Sequence, residues 1–249
     1  MIKLGFQYFR SIVFYIVYAI SGVIAGLVSV FLWPTPFLFR YSVVMLWNHF
    51  ALWAAKYIAG INYNIIGLEN IPRDKAYVVL CKHQSAWETI FTQIYFKPIS
   101  TILKRELLRI PFFGWGLALL KPVAIDRSKP REAMRKVHTE GMARIKEGIN
   151  LLVFPEGTRI PFGEIGNYAR GGAEIACVTG APILPVAHNA GALWPVSKIL
   201  KTPGTLTVVI GKPITCAGRN SKELTEEVKA WIEQQIRLMP DPVLSRQGK

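Results

Sequence analysis

The chain is short of the features that announce many protein classes. Among its 249 residues there are three cysteines, Cys81, Cys177 and Cys216, with no C-x-x-C spacing. An odd number of thiols in apolar or turn contexts speaks against a disulfide framework and for a reducing compartment. The four histidines, His49, His83, His138 and His188, are scattered. Without H-E-x-x-H or another ligand cluster, the sequence calls for no metal. The absence of G-x-S-x-G argues against a serine hydrolase of the common kind. No helix-turn-helix, zinc-finger or RRM-like pattern is present, so a nucleic-acid partner is not expected. Internal repeats and low-complexity tracts are missing as well. Charge is scarce, at 18% of residues against about a quarter in ordinary soluble domains. Acidic residues are the scarcer kind: 16 Asp and Glu against 30 Lys and Arg, for a net charge of +14.

What fills the gap is apolar sequence, 51% of the chain, with a mean hydropathy of +0.28. A basic and apolar chain suits an anionic membrane surface. Residues 11–33 carry no charge and as a helix would reach roughly 35 Å, against a hydrocarbon core of about 30 Å. Their Leu, Ile, Val and Phe content favours insertion by on the order of 5 kcal/mol. No small-residue cleavage site follows, which points to a retained anchor rather than a removed signal peptide. Pro34 and Pro36 then break the helix. Residues 37–61 form a second apolar stretch, but Arg40 and Lys56 nearly cancel its gain on insertion, and Tyr41, Trp47, Trp53 and Tyr57 suit the headgroup region. It reads as an interfacial helix or the second arm of a shallow hairpin. The competing reading is that both helices cover a domain core. Residues 1–61 are thus expected to anchor the chain, 62–239 to form one catalytic domain, and 240–249 to be a disordered tail.

Past the anchor the pattern changes. Residues 62–74 carry turn residues, Gly67 and Pro72 among them. An apolar run at 76–81 has the look of a buried strand. It ends in His83-Gln84-Ser85-Ala86-Trp87-Glu88, which leads into a helix. A His in the turn after a buried strand, with a carboxylate in the first helical turn, suggests an imidazole base and the group that orients it. Ser85-x-x-Glu88 also matches a capping box, which explains both residues without chemistry. A basic and Gly-punctuated block follows, in which Lys104 closes a strand and can meet a phosphate as a point charge. Residues 123–127 make a short strand ending in Asp126 and Arg127, and 131–148 a helix in which His138 is given no role. The apolar run 150–154 leads into Pro155-Glu156-Gly157-Thr158-Arg159. There Gly157 permits close backbone approach, Arg159 offers a planar fork for phosphate, and Glu156 can accept from a hydroxyl. The bland alternative is a plain turn with a local Glu–Arg pair. Helices at 171–180 and 221–239 and strands at 181–187 and 206–210 complete an alternation that gives an α/β class, a mixed sheet flanked by helices.

Together these blocks resemble the glycerolipid acyltransferase family, which is marked by H-x-x-x-x-D and, about 70 residues later, F-P-E-G-T-R. The second motif is present in full, Phe154 to Arg159; the first runs from His83 to Glu88 with Glu in place of Asp. The basic block and Leu184-Pro185-Val186 also look like family blocks, and the resemblance spans roughly residues 62–212. Glu keeps the charge of Asp but adds a methylene, which makes the capping reading more competitive.

The resemblance implies acyl transfer from a thioester, acyl-CoA or acyl carrier protein, to the sn-2 hydroxyl of lysophosphatidate at the surface of a phospholipid membrane, with no cofactor. His83 would remove the hydroxyl proton and Glu88 would fix the imidazole tautomer. Backbone N–H groups near Gly157 would meet the oxyanion. Lys104 and Arg159 would hold the acceptor phosphate, with Arg127 a weaker candidate, and Glu156 and Thr158 would contact the glycerol or orient Arg159. Phe112, Phe113 and Trp115 are expected near an acyl tunnel. The domain would face the cytoplasm from the inner membrane. Two other readings compete: an acyltransferase for another acceptor, such as glycerol 3-phosphate, and a non-catalytic lipid-binding protein.

Overall fold

Apolar runs too short for helices and closed by turn residues become the strands of one sheet. The computed structural model describes residues 2–196 and 198–243. The strands are β1 (Ile61–Ile66), β2 (Val78–Cys81), β3 (Ile99–Lys104), β4 (Val123–Ile125), β5 (Asn150–Val153), β6 (Ile183–His188) and β7 (Gly204–Ile210), in the spatial order β1-β7-β6-β2-β5-β3-β4. Only β6 and β7 pair antiparallel; the rest are parallel. The helices are α1 (Ile2–Leu32), α2 (Phe37–Ala54), α3 (Trp87–Tyr95), α4 (Phe113–Ala118), α5 (Pro130–Lys146), α6 (Gly171–Thr179), α7 (Ala190–Leu193) and α8 (Ser221–Leu238).

The central strands are apolar on both faces because both faces are covered. Val79, Cys81, Leu152 and Val186 belong to the core beneath α2 and α3. Their neighbours Val78, Leu80, Leu151 and Ile183 belong to the core shared with α6 and α8. One structural element departs from the sequence reading. Residues 62–66, read as part of a turn-rich connection, form strand β1 together with Ile61, read as the end of the second apolar stretch, and the strand pairs with β7. It lies at the sheet edge and is fully buried only at Ile61, so no continuous apolar run marks it.

Helix α1 is the one helix among the described residues long and apolar enough to cross a membrane. It does not stand clear of the domain. Near its start, Arg10 Nε donates to the Ile58 carbonyl at 2.6 Å and Ser11 Oγ accepts from the Lys201 N–H at 2.9 Å. Farther on, Trp47 Nε1 of α2 donates to Ser21 Oγ at 3.2 Å. At Gly26 the helix comes so close to Phe112 that a Cβ would collide with it. Its other side leaves Phe9, Ile16, Ile20, Ile24 and Phe31 exposed. Helix α2 is built the same way: Tyr41, Met45 and Leu52 are buried, Leu46, Phe50 and Trp53 exposed. Tyr41 hydroxyl donates to the Gln93 carbonyl at 2.8 Å, fixing α2 to α3. Of the last ten residues, 240–243 lie against the body, where Asn189 Nδ2 donates to the Pro240 carbonyl at 3.1 Å; 244–249 fall outside the described residues.

Candidate active site

The parallel strands β2, β5, β3 and β4 end at one edge of the sheet, and the polar residues singled out in the sequence follow those ends in order. His83 follows β2, Glu156 to Arg159 follow β5, Lys104 closes β3 and Arg127 follows β4. Loops at the carboxyl ends of parallel strands are where such sheets place ligands.

His83 is fixed on every side but one. Its backbone N–H donates to Glu156 Oε2 at 3.0 Å, and its carbonyl accepts from the Ile160 N–H at 2.8 Å. Its ring stacks on Phe154 with centroids 3.9 Å apart. Nδ1 lies 2.8 Å from Glu88 Oε1. That same oxygen accepts from the backbone N–H groups of Gln84 at 2.9 Å and Ser85 at 2.8 Å, while Ser85 Oγ accepts from the Trp87 N–H at 3.1 Å. Half of the capping box is present: Glu88 Oε1 reaches back to the Ser85 N–H while also holding His83, but the helix N-cap is Ala86 and Ser85 Oγ bonds the Trp87 N–H instead of capping the helix. Burial opposes the Glu88 charge, but His188, the hydrogen bond and charge of His83, and the Ser85 N–H outweigh it and hold the carboxyl below its ordinary range. An ionised carboxylate only accepts, so the His83 proton sits on Nδ1. Nε2, with no hydrogen-bond partner among the described residues, is left to accept.

His188, at the end of β6, stands behind this pair with Nε2 4.0 Å from Glu88 Oε2. Its Nε2 donates to the Lys82 carbonyl at 2.8 Å and its Nδ1 accepts from the Ala190 N–H at 3.2 Å, the pattern of a neutral ring. Burial, reinforced by the nearby His83, holds it below 6.5 against the pull of Glu88, the Lys82 carbonyl and Glu156.

Glu156, expected on the acceptor, faces inward instead. Its Oε1 accepts from Lys82 Nζ at 2.7 Å. Lys82 is 0% exposed and also donates to Glu233 Oε1 at 2.7 Å and to the Glu164 carbonyl at 3.1 Å, so each ammonium N–H has an acceptor. Tyr168 hydroxyl completes the cluster by donating to Glu233 at 3.0 Å. Sequence reasoning missed Lys82, Glu233, Tyr168 and His188. The available signals were a lysine closing an apolar strand and a glutamate at the margin of the buried face of α8.

Gly157 lies in the loop as expected, but its N–H donates to the Phe154 carbonyl at 3.0 Å. Among the described residues the amides of Glu156, Thr158 and Arg159 in this loop make no such bond, and of these residues Thr158 and Arg159 line the cavity. These residues, with His83, Lys104 and Arg127, line one cavity of about 1410 Å³. Its apolar part runs between α1 and α2, along Gly22, Val44 and Trp47, to Phe112 and Phe113. Trp115, placed near the same tunnel, packs edge-on against Phe112. Neither Arg127 nor Arg159 has an ion-pair partner among the described residues, and Lys104 has only Glu106, 3.6 Å away and about as exposed as itself. No group of three or more metal-ligating side chains occurs among the described residues.

With this geometry in hand, three comparisons with known proteins are informative. The acyltransferase family is matched over residues 62–189. The 1-acyl-sn-glycerol-3-phosphate acyltransferase of Pseudomonas aeruginosa is 47% identical over 233 residues, 92% of this chain and 90% of that protein. The protein of the same name from Borreliella burgdorferi is 28% identical over 182 residues, 72% of each chain. The crystal structure of the 1-acyl-sn-glycerophosphate (LPA) acyltransferase PlsC from Thermotoga maritima aligns with a TM-score of 0.80 at 24% identity, over 96% of this chain and 97% of that one. At that identity the likeness concerns the fold.

Proposed function

The chain belongs to the acyltransferase family, and from that premise we propose that it transfers a fatty acyl chain from an acyl thioester to the sn-2 hydroxyl of 1-acylglycerol 3-phosphate, forming phosphatidic acid for phospholipid synthesis. The observation that carries this reading is the 2.8 Å His83–Glu88 contact, set in a cavity whose polar edge holds Arg127 and Arg159, without ion-pair partners among the described residues, and whose other edge is formed by apolar helices.

His83 Nε2 accepts the hydroxyl proton as the oxygen attacks the thioester carbonyl. Glu88 keeps the other ring proton on Nδ1 and stabilises the imidazolium that forms. The developing oxyanion is received by the amides of Thr158 and Arg159, a reading supported by their position on the cavity and their lack of another hydrogen-bond partner among the described residues. When the C–S bond breaks, the imidazolium returns its proton to the departing thiolate. No serine nucleophile, metal or cofactor enters this sequence; acyl-CoA or acyl carrier protein is a substrate. Arg159 and Lys104 hold the acceptor phosphate. They follow the ends of β5 and β3, one and two strands from β2, on the order of 5 and 10 Å from His83 at the usual strand spacing.

The acceptor and product are bilayer lipids, which gives the exposed sides of α1 and α2 a solvent. Contacts to the domain run along α1 from Arg10 to Gly26, so both halves of the helix stay beside it. We place the pair in one leaflet of the cytoplasmic membrane as a shallow hairpin, with the sheet edge at the headgroups and the domain in the cytoplasm. A charge of +14 draws the protein to anionic lipid and steers acidic donors to it.

The deciding experiment is formation of phosphatidate from labelled lysophosphatidate and a thioester by purified, detergent-solubilised protein, with glycerol 3-phosphate and other lysolipids as competing acceptors. Turnover that prefers lysophosphatidate supports the reading. Preference for another acceptor overturns the substrate, and silence with every donor and acceptor overturns the enzyme.

A further inference from the structure

The cavity at His83 extends to both faces of the sheet. Besides the apolar part between α1 and α2, it continues past β3 and β4 to the facing surfaces of α5 and α6. Pro130, Ala133, Met134 and Val137 line this second arm, spaced i, i+3, i+4 and i+7 and therefore on one face of α5. Opposite them α6 opens with Gly171 and Gly172, a wall without side chains. The backbone there rests on the sheet: a Cβ at Gly172 would stand 2.6 Å from Leu80 Cδ2. His138 Nε2 and the Glu174 carboxylate, 2.8 Å apart, clasp the two helices beside the arm. Met134 is 57% exposed although it is apolar and borders the cavity. Arg127 and Arg170, neither with an ion-pair partner among the described residues, also line this region.

Arg127 sits badly for the acceptor. It follows β4, three strands from β2, on the order of 14 Å from His83 at the usual strand spacing. In lysophosphatidate the phosphate is on the carbon next to the one bearing the reacting hydroxyl, a distance that Arg159 and Lys104 already cover. A phosphate served by Arg127 belongs to a longer molecule whose reacting atom still reaches His83. The other substrate has that form: a thioester donor carries its sulfur at the end of an extended chain of methylenes and amides that terminates in a phosphate.

Resting on the acyl-transfer reading above, we propose that the α5–α6 arm binds the 4′-phosphopantetheine chain of the donor, with Ala133, Met134 and Val137 against its methylenes and Arg127 and Arg170 at its phosphate. The two substrates then approach from opposite faces of the sheet. The lysolipid comes from the α1–α2 side and the thioester from the α5–α6 side, and hydroxyl and carbonyl meet at His83. Acyl-CoA and acyl carrier protein share this chain, so the arm recognises both.

The test uses the full-length protein in detergent, with palmitoyl-CoA and palmitoyl-acyl carrier protein run in parallel. Ala133→Trp fills the arm. It is expected to raise KM for both donors by at least about tenfold while KM for lysophosphatidate stays within about twofold of wild type. A rise in the lysophosphatidate KM with donor KM unchanged, or no change in either, overturns the proposal. So does a loss confined to palmitoyl-CoA, which would put its nucleotide in the arm. If Ala133→Trp fails to fold, calorimetric titration of 4′-phosphopantetheine into inactive His83→Ala decides. Binding that weakens in the His83→Ala/Arg127→Ala double variant supports the arm, and absence of binding rejects it. Wild type that turns over no thioester refutes the acyl-transfer reading itself, whereas active wild type with an indifferent Ala133→Trp refutes only the arm.

Discussion

Behind His83 and in front of it, the protein handles charge in opposite ways. Behind it, Lys82 and Glu88 are fully buried, Glu156 and Glu233 are tied to Lys82 at 2.7 Å, and His188 is held neutral. In front of it, Arg127 and Arg159 have no carboxylate partner among the described residues, and Lys104 shares its only one with solvent. A base must be aimed before the substrate arrives, so its supports are desolvated and pinned in advance. A cation that waits for a phosphate must stay free of internal carboxylates that would compete for it. On the reading proposed above, the contrast separates the residues that serve the chemical step from those that set substrate affinity, Arg159 and Lys104 for the acceptor and Arg127 for the donor.

The strongest way to break that contrast is at the base. His83→Ala is expected to lower kcat by on the order of 1,000-fold with little change in acceptor binding; an activity within tenfold of wild type would remove the base assignment. Next comes the buried cluster. Lys82→Met leaves Glu156 and Glu233 without their common cation and should destabilise the protein by about 3–5 kcal/mol in urea unfolding. A loss below about 1 kcal/mol would mean that the cluster is not the desolvated knot described above. In the front set, Arg159→Ala is expected to raise KM for lysophosphatidate about 10- to 100-fold with kcat largely kept, because it removes charge-assisted hydrogen bonds to a phosphate. A fall in kcat at constant KM would merge the two sets. Lys104→Ala should act in the same sense but more weakly, since Lys104 is a point charge two strands away.

The smallest expected effect is one of pH. In the window between the depressed folded value of His188 and 6.5, the unfolded chain takes up a proton that the folded protein refuses. This contribution to stability is therefore complete above 6.5 and is lost progressively as the pH falls below it. The urea midpoint should decline on going from about pH 7.5 to about pH 5.5, and less steeply in His188→Asn. Equal slopes in the two proteins would show that His188 is not the group refusing the proton.

How much of this was legible in the sequence depended on distance along the chain. His83 and Glu88 are five residues apart and bracket a turn, so their meeting could be read directly. The fold class followed from alternating strands and helices, and the central strands from runs apolar on both faces. β1 escaped because an edge strand needs no such run. Lys82 and Glu233 are 151 residues apart, and no local pattern marks them as a pair. Glu156 misled for a related reason. A carboxylate in a turn beside an Arg suited to phosphate looks available for substrate, and only the fold reveals that Lys82 and the His83 N–H have already claimed both of its oxygens.

The reach of Lys82 to Glu233 also ties the site to a helix made late in synthesis. Synthesis delivers the hydrophobic α1 before α8, and domains fold largely as their chain emerges from the ribosome. A nascent chain lacking α8 can already present its greasy helices to a membrane, yet its Lys82 ammonium lacks one of its three acceptors and Tyr168 lacks its carboxylate. The apolar helices thus precede α8 in synthesis, so a nascent chain can meet a lipid surface before the Lys82 cluster is complete.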